Sequence, residues 1–370
     1  MGSASHVVEF ASTRRWPAIF VLAAANLGLI LVVASGFSAV GDVVAPLTGH
    51  LIGFGLAAGL ALIVRRWMLT LLGAGVAATL GLHAWLGLAS CCRAPAPEAA
   101  GPVTRIAAEG ATQRLSVLTL NTWDKLRDPR SIESYLATAP ADVVILSEFG
   151  EPKGALLAGV RAIYPYQTSC ADGWHCSLAL LSRVPLEASG QGRIPDGGPD
   201  FVWARLGRSL TVVGTHVHRP SRNPWRHERQ MAALARFLRQ IDGPVVVAGD
   251  LNASPWSAAF RQLRITAGLI PTAVLLPTWP AWPVALPQAA LDHILVSPDI
   301  AVVGAGTGPA VGSDHLPVWA LIDYRRAAPE PAPLLLHRLI SRLAAASPHL
   351  GGELLGDLGG EHVGAGNLRR

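Results

Sequence analysis

The sequence predicts a mixed α/β domain, with at least one large sheet covered by helices and two sheets packed together, preceded by an N-terminal segment of three apolar helices. Three observations lead there. Uncharged apolar runs are confined to the first quarter of the 370 residues and lift the mean hydropathy to +0.37. Through the remainder, short β-branched runs alternate with helical patterns, and strands outnumber helices. The polar residues of that remainder gather where strands end. A charged fraction of 15%, against roughly 25% for globular chains, argues against an ordinary soluble protein. The apolar content excludes disorder for most of the chain.

The first element is the charge-free run 17–40, long enough for the about 20 residues that cross a roughly 30 Å hydrocarbon layer. Runs 47–64 and 67–89 follow, separated by Arg65 and Arg66. Glycines such as Gly53, Gly59 and Gly75 would let these helices pack closely. A cleaved signal peptide fits less well, because its apolar core is shorter and two further runs follow. Residues 1–92 are therefore expected to form three transmembrane helices. Arg14, Arg15, Arg65 and Arg66 would face the cytoplasm. That makes the chain an integral protein of the inner or plasma membrane with an extracytoplasmic main domain. A disulfide between Cys170 and Cys176 would suit an oxidising compartment; zinc ligation with His175 lacks a fourth partner at recognisable spacing. Cys91 and Cys92 leave the third run together, where pairing, acylation or no role at all are open.

Residues 93–112, rich in Pro and Ala, read as a linker. The folded domain is expected over 113–324. RLSVLTLN, ADVVILSE, SLALLSR, FVWARL, SLTVVGTH, PVVVAGD, LDHILVS and LPVWALI read as strands. RSIESYLATA and PWRHERQMAALARFLRQI read as helices, the second with Met231, Leu234, Phe237, Leu238 and Ile241 on one face. Residues 325–370 form a tail of low expected order, which includes one possible amphipathic stretch around Leu335, Leu339 and Leu343. The net charge of +5 is carried almost wholly by arginine, with Lys125 and Lys153 the two lysines. Without a dense basic run it barely discriminates among partners.

The chemistry lies at the strand ends. Asn121 closes one apolar strand, Glu148 the next, His216 a third, and Asp250 with Asn252 a fourth; Asp292 and the Asp314–His315 pair follow. One carboxylate at a strand end is usually a turn or cap residue. Six such places in one domain shift that balance, because strand ends converge on one rim and can form a single acidic pocket. Carboxylates with amide oxygens favour a hard cation, Mg²⁺ or Mn²⁺. Acids beside histidines suit hydrolysis of a phosphodiester, which needs charge neutralisation, an activated water and help for the leaving oxygen.

The ordered motifs LNTW, ILSE, GTHVHRP, VVVAGDLNASPWS, ALDHILVS and GSDHLPV resemble the endonuclease/exonuclease/phosphatase family, the deoxyribonuclease I-like fold. The resemblance covers roughly residues 113–324, and PTWP before the LDH motif is similar to membrane-anchored bacterial members. It implies a four-layer α/β/β/α sandwich. It further implies that Glu148 is the principal metal ligand, beside Asn121, with Asp314 completing that shell. Asp250 and Asn252 would orient the attacking water and bind the scissile phosphate. His315, paired with Asp292, would polarise that phosphate, and His216 would bind it or assist the leaving group. His218, His293, Arg219, Arg222, Trp279 and Trp282 have structural explanations first; Asn223, Pro224 and Arg229 lie where the resemblance implies a polar residue over the pocket and are not counted in the site.

The function expected is that of a membrane-anchored, Mg²⁺- or Mn²⁺-dependent phosphodiesterase acting on nucleic acid or phospholipid, with no obligate protein partner implied. Binuclear zinc or iron phosphoesterases need GDxxD and GNH motifs, which are absent, as is the HxHxDH of metallo-β-lactamases. A tethered binding protein without turnover would predict a broken motif, and every position is filled.

Overall fold

The computed structural model describes residues 16–34, 39, 41–63, 112–126, 128–138, 141–150, 153–170, 176–207, 209–273, 275–283 and 289–325. Its first helices are α1 (Trp16–Ala34), the single turn α2 (Gly41–Val44) and α3 (Thr48–Ile63). Among the described residues no helix is long and apolar enough to cross a membrane. Helix α1 has 19 residues and α3 has 16. At about 1.5 Å per residue they rise about 28 and 24 Å, short of the roughly 30 Å layer. This corrects the expected transmembrane helices over 17–40 and 47–64, and the integral-membrane, extracytoplasmic localisation loses its ground with them. The third expected span, 67–89, lies outside the described residues, as do most of the linker and nearly all of the tail.

Instead, α1 and α3 bury against each other through Leu22, Leu29 and Ala58. The turn between them is tied to the main domain by Asp42, which is 3% exposed. Its carboxylate accepts hydrogen bonds from the Ala258 and Ala259 N–H groups at 2.8 and 3.1 Å. Those are unsatisfied donors at a helix start, where a negative charge is favoured.

The main domain comprises β1 (Thr112–Asn121), α4 (Arg130–Thr138), β2 (Val143–Ser147), α5 (Gly154–Gly159), β3 (Tyr166–Ser169), β4 (Leu178–Ser182), β5 (Leu186–Arg193), β6 (Asp200–Leu206), β7 (Leu210–His216), α6 (Pro224–Leu238), β8 (Val245–Asp250), α7 (Ala258–Ala267), β9 (Ile270–Pro271), β10 (Asp292–Val296), β11 (Ala301–Thr307) and β12 (Val318–Arg325). One six-stranded sheet runs β11-β12-β1-β2-β4-β3 and the other β5-β6-β7-β8-β10-β9. The pairs β1–β2 and β7–β8 are parallel. Inner faces meet through Val117, Ile145 and Leu180 of the first sheet and Val212, Val246 and Ile294 of the second. The outer face of the first packs Leu118 and Leu146 on Ile132, Leu136 and Leu156 of α4 and α5. The outer face of the second packs Val213, Val247 and Leu295 on Leu234, Phe260 and Leu263 of α6 and α7. Because β2 and β8 are covered on both sides, they read as continuous apolar runs rather than alternating ones.

Strands β3, β5, β9 and β11 and helices α5 and α7 have no counterpart in the sequence reading. Glycines explain two of them. In β5, Gly190 and Gly192 pair with Trp203 and Phe201, and in β11 Gly306 pairs with Trp319. The aromatic rings lie over the bare glycines, so burial comes from the neighbouring strand and the strand's own residues look loop-like. Cys170 and Cys176 form a disulfide after β3.

Gly249 is the tightest backbone position. Its φ is +151°, and a Cβ there would collide with the carbonyl oxygen of Thr215 on β7. Neither backbone can move without breaking the β7–β8 ladder. Gly249→Ala is expected to cost at least about 3 kcal/mol, the sum of a disallowed conformation and an overpacked core. Denaturant unfolding tests this, and a loss below about 1 kcal/mol would contradict it.

Candidate active site

Strand register places the site. On the second sheet, His216 pairs with Asp250 across the parallel β7–β8 ladder, and Asp250 pairs with Asp292 across antiparallel β8–β10. The three side chains therefore stand in a row at one rim. On the first sheet, Asn121 pairs with Ser147, so Glu148 follows at the matching end of β2. Packing the sheets face to face brings the two rims together: Asn121 Nδ2 donates to Asp250 Oδ2 at 2.9 Å.

Asp250 is fully buried. Its Oδ1 accepts the Asn252 N–H at 2.8 Å, and its Oδ2 lies 3.7 Å from His216 Nε2 and 4.0 Å from His315 Nε2. Burial, then the nearby Asp292 charge, pushes the Asp250 carboxyl up from its ordinary value, against the pull of the two histidines and Asn121. His315, 1% exposed, shares its Nδ1 with Asp292 Oδ2 at 2.7 Å. Burial alone would lower this imidazole, but the Asp292 charge and hydrogen bond, with Asp250 and Asp314, raise it to about 9. It is thus a cation at neutral pH with Nε2 turned toward Asp250.

Glu148 is the complementary case. Burial would raise it, yet His216, the Asp124 N–H, Asn121 and Arg219 together pull it down to about 2. Its Oε2 accepts from Asp124 N at 2.8 Å and its Oε1 from Arg219 Nη2 at 2.9 Å. Asn252 donates through Nδ2 to the Val217 carbonyl at 3.0 Å, and that nitrogen lies 3.3 Å from His216 Nε2. Asp314 stands to the side. Its carboxyl is raised by burial, bonds to Trp279, and leaves a buried Oδ1 without a partner.

Seven of the eight residues singled out in the sequence interlock within hydrogen-bond or near-contact distance, and Asp314 borders them. The structure adds residues that carried no sequence signal. Thr278 donates to Asp292 Oδ2 at 2.6 Å. Ser313 donates to the Asn121 carbonyl at 2.6 Å and accepts the His315 N–H at 3.1 Å, tying the His315 loop to β1. Arg219, which the sequence leaves to substrate or solvent, pairs with Glu148 while its side chain stays 35% exposed. Other candidates find structural partners. His293 is buried against Phe260 and bonded to the Ala253 carbonyl, Asn223 caps α6 through the Arg226 N–H, and Trp282 stacks on Trp123.

Lys153 is the least expected of these. It is 2% exposed, and its Nζ donates to the carbonyls of Trp123 and Glu148 at 2.6 and 2.8 Å. Both residues hold left-handed backbone, with φ of 59° and 52°, a conformation costing about 1–3 kcal/mol unless its surroundings enforce it. Lys153 therefore fixes the strand-end turn that aims Glu148. Lys153→Met, close in volume, is expected to lower kcat/KM for a phosphodiester about 10- to 100-fold by loosening that turn. Steady-state kinetics beside circular dichroism checks this; a folded variant with unchanged kcat/KM would refute it.

Two groups of these side chains could hold a metal ion. Ligand atoms of Glu148, His216 and Asp250 lie within 4.8 Å of one another, as do those of Asp250, Asp292 and His315. The unpartnered oxygen of Asp314 and the low-pKa carboxylate of Glu148 are what an oxygen-preferring ion requires.

Two facing sheets bring their strand ends together on carboxylates and histidines, an arrangement that suits hydrolysis of a phosphate ester. The sequence profile of the Endonuclease/Exonuclease/phosphatase family matches residues 118–315, more than half of the chain, and the protein belongs to that family. Solved structures resemble it. D. rerio TDP2 complexed with a single-strand DNA product is 17% identical, with a TM-score of 0.48, over 56% of this chain and 98% of that one. An endonuclease/exonuclease/phosphatase family protein from Bacteroides thetaiotaomicron is 13% identical (TM-score 0.48; 60% and 100% covered). Sphingomyelinase C from Streptomyces griseocarneus is 21% identical (TM-score 0.43; 58% and 100% covered). No curated protein sequence matches the chain.

Proposed function

We propose that this protein hydrolyses phosphodiester bonds with the help of a bound divalent cation, Mg²⁺ or Mn²⁺. The observation that carries the reading is the Asp292–His315 pair, its cationic imidazole directed at Asp250, within a buried cluster that Asn121 joins across the two sheets.

Each role follows from the surroundings of its side chain. Glu148, with Asn121 and Asp314, would hold the cation, which supplies charge neutralisation for the phosphoryl oxygens. Asp250, whose proton affinity is raised by burial, takes a proton from the attacking water, while Asn252 orients that water and the phosphoryl group. His315, charged and held in one orientation by Asp292, donates through Nε2 to a non-bridging oxygen as negative charge builds there. His216, on the Glu148 side of Asp250, assists the departing oxygen.

The test is hydrolysis of bis(4-nitrophenyl) phosphate by the full chain with Mg²⁺ or Mn²⁺, with EDTA, and after metal is restored. Turnover abolished by chelation and recovered on restoration is the expected result. A folded protein without turnover under any of these conditions would overturn the reading.

A further inference from the structure

Beside the site lies a cavity of about 600 Å³, within the size range of small-molecule pockets. One wall comes from the N-terminal helices, through Pro46, Leu47, Leu51 and Phe54 with His50 among them; the other comes from Pro220, Trp279, Pro280 and Leu291 of the main domain. At one end the lining changes to Arg219, Asn252 and His315. Leu47 and Phe54 remain 49% and 59% exposed, so they contribute apolar surface that the fold itself does not consume. The Asp42 cap on α7 holds this wall in position.

We infer that the groove receives an aliphatic chain of the substrate, making the preferred substrate a phosphodiester of a long-chain lipid. This rests on the reading that Asn252 and His315 face the phosphoryl group. The lining suits a ligand with one anionic group beside Arg219 and His315 and hydrocarbon along most of the rest, where His50 and Ser221 are the polar exceptions. A polynucleotide has the opposite needs. It presents a charged phosphate at every residue and calls for cations that track the backbone, whereas Arg219 is the groove's single lysine or arginine among the described residues. The sequence alone hides this site, because one wall belongs to a segment some 170 residues before Arg219.

The experiment compares the full-length parent with the double variant Leu47→Asp, Phe54→Asp, whose exposed positions leave the cores untouched. Binding of ethyl phosphate and dodecyl phosphate is measured by calorimetry, below the micellar concentration of the longer compound. Hydrolysis is followed on bis(4-nitrophenyl) phosphate, on an alkyl 4-nitrophenyl phosphate series of increasing length, and on single-stranded DNA. In the parent, affinity and kcat/KM should rise about two- to fourfold per added methylene until the groove is filled. The double variant should lose that dependence, falling at least tenfold on the longest chain while changing less than twofold on the aryl diester. A flat length series in the parent, an equal loss on both substrate types, or DNA preferred with the variant unimpaired would each overturn the inference. Chain-length-dependent binding without any hydrolysis would support the groove and reject the enzymatic reading, so the two fail separately.

Discussion

Asp250→Asn is expected to lower kcat/KM for an aryl phosphodiester by on the order of 10³-fold, within the range of general-base catalysis, while the protein melts no lower than the parent. The amide keeps the volume and can keep the bond from the Asn252 N–H, but it takes no proton from water. The stability half follows from the direction of the pKa shift. A carboxyl whose folded pKa lies above its unfolded value, as burial and Asp292 cause here, opposes folding once ionised, so a neutral amide removes that opposition. The bond from Asn121, which the substitution weakens, acts in the opposite sense. Kinetics beside a thermal melt tests both halves: a loss below tenfold would remove Asp250 from the proton-transfer role, and a clear drop in Tm would contradict the electrostatic account.

The second large effect concerns His315. With its pKa near 9, the imidazole is charged through the neutral range, and activity should fall on the alkaline side as pH rises through about 9. His315→Gln is expected to lose about 10²- to 10⁴-fold in kcat/KM and with it that alkaline limb. Asp292→Asn removes the main source of the raised pKa, so the limb should move down toward the ordinary histidine value. The linkage sign is that of a base with a raised folded pKa. Its stabilising contribution is complete below the unfolded pKa of about 6.5 and is lost as pH rises through about 9. Melts at pH 6 and pH 9.5 should therefore show a drop in the parent that is smaller in His315→Gln. A pH–rate profile in which Asp292→Asn leaves the alkaline limb unmoved would contradict the pairing.

What the sequence reveals and conceals follows from the range of each interaction. Asn121, Glu148, His216 and Asp250 are visible because each ends an apolar strand, and strand ends meet whatever the loops do. Lys153 is invisible, because its role depends on two carbonyls aimed by left-handed turns in separate loops, and nothing in EPKG announces them. The strands carrying Gly190, Gly192 and Gly306 are hidden for a related reason, since their side-chain surface is supplied by Trp203, Phe201 and Trp319. The N-terminal runs mislead in the other direction. A stretch apolar on all sides satisfies the hydropathy pattern of a membrane span, whereas here α1 and α3 pack together through Leu22, Leu29 and Ala58 and leave Phe20, Leu27, Ile30 and Phe54 exposed. Asp42, buried as a cap on a helix some 200 residues away, is the contact that pattern cannot anticipate.

The order of the strands also dictates when the site is complete. Strands β5 to β10 form the second sheet without leaving it, whereas the first sheet is split between the start and the end of the domain and closes by pairing β1 with β12. The Arg114–Asp323 ion pair that fastens this closure spans 209 residues. Contacts of such separation form late and slowly. His216, Asp250 and Asp292 stand on β7, β8 and β10, which are neighbours in the second sheet, whereas Asn121 and Glu148 stand on the sheet that the last strand completes. A chain ending before Val318 would lack the strand that closes the first sheet, and is expected to show none of the turnover proposed for the full chain.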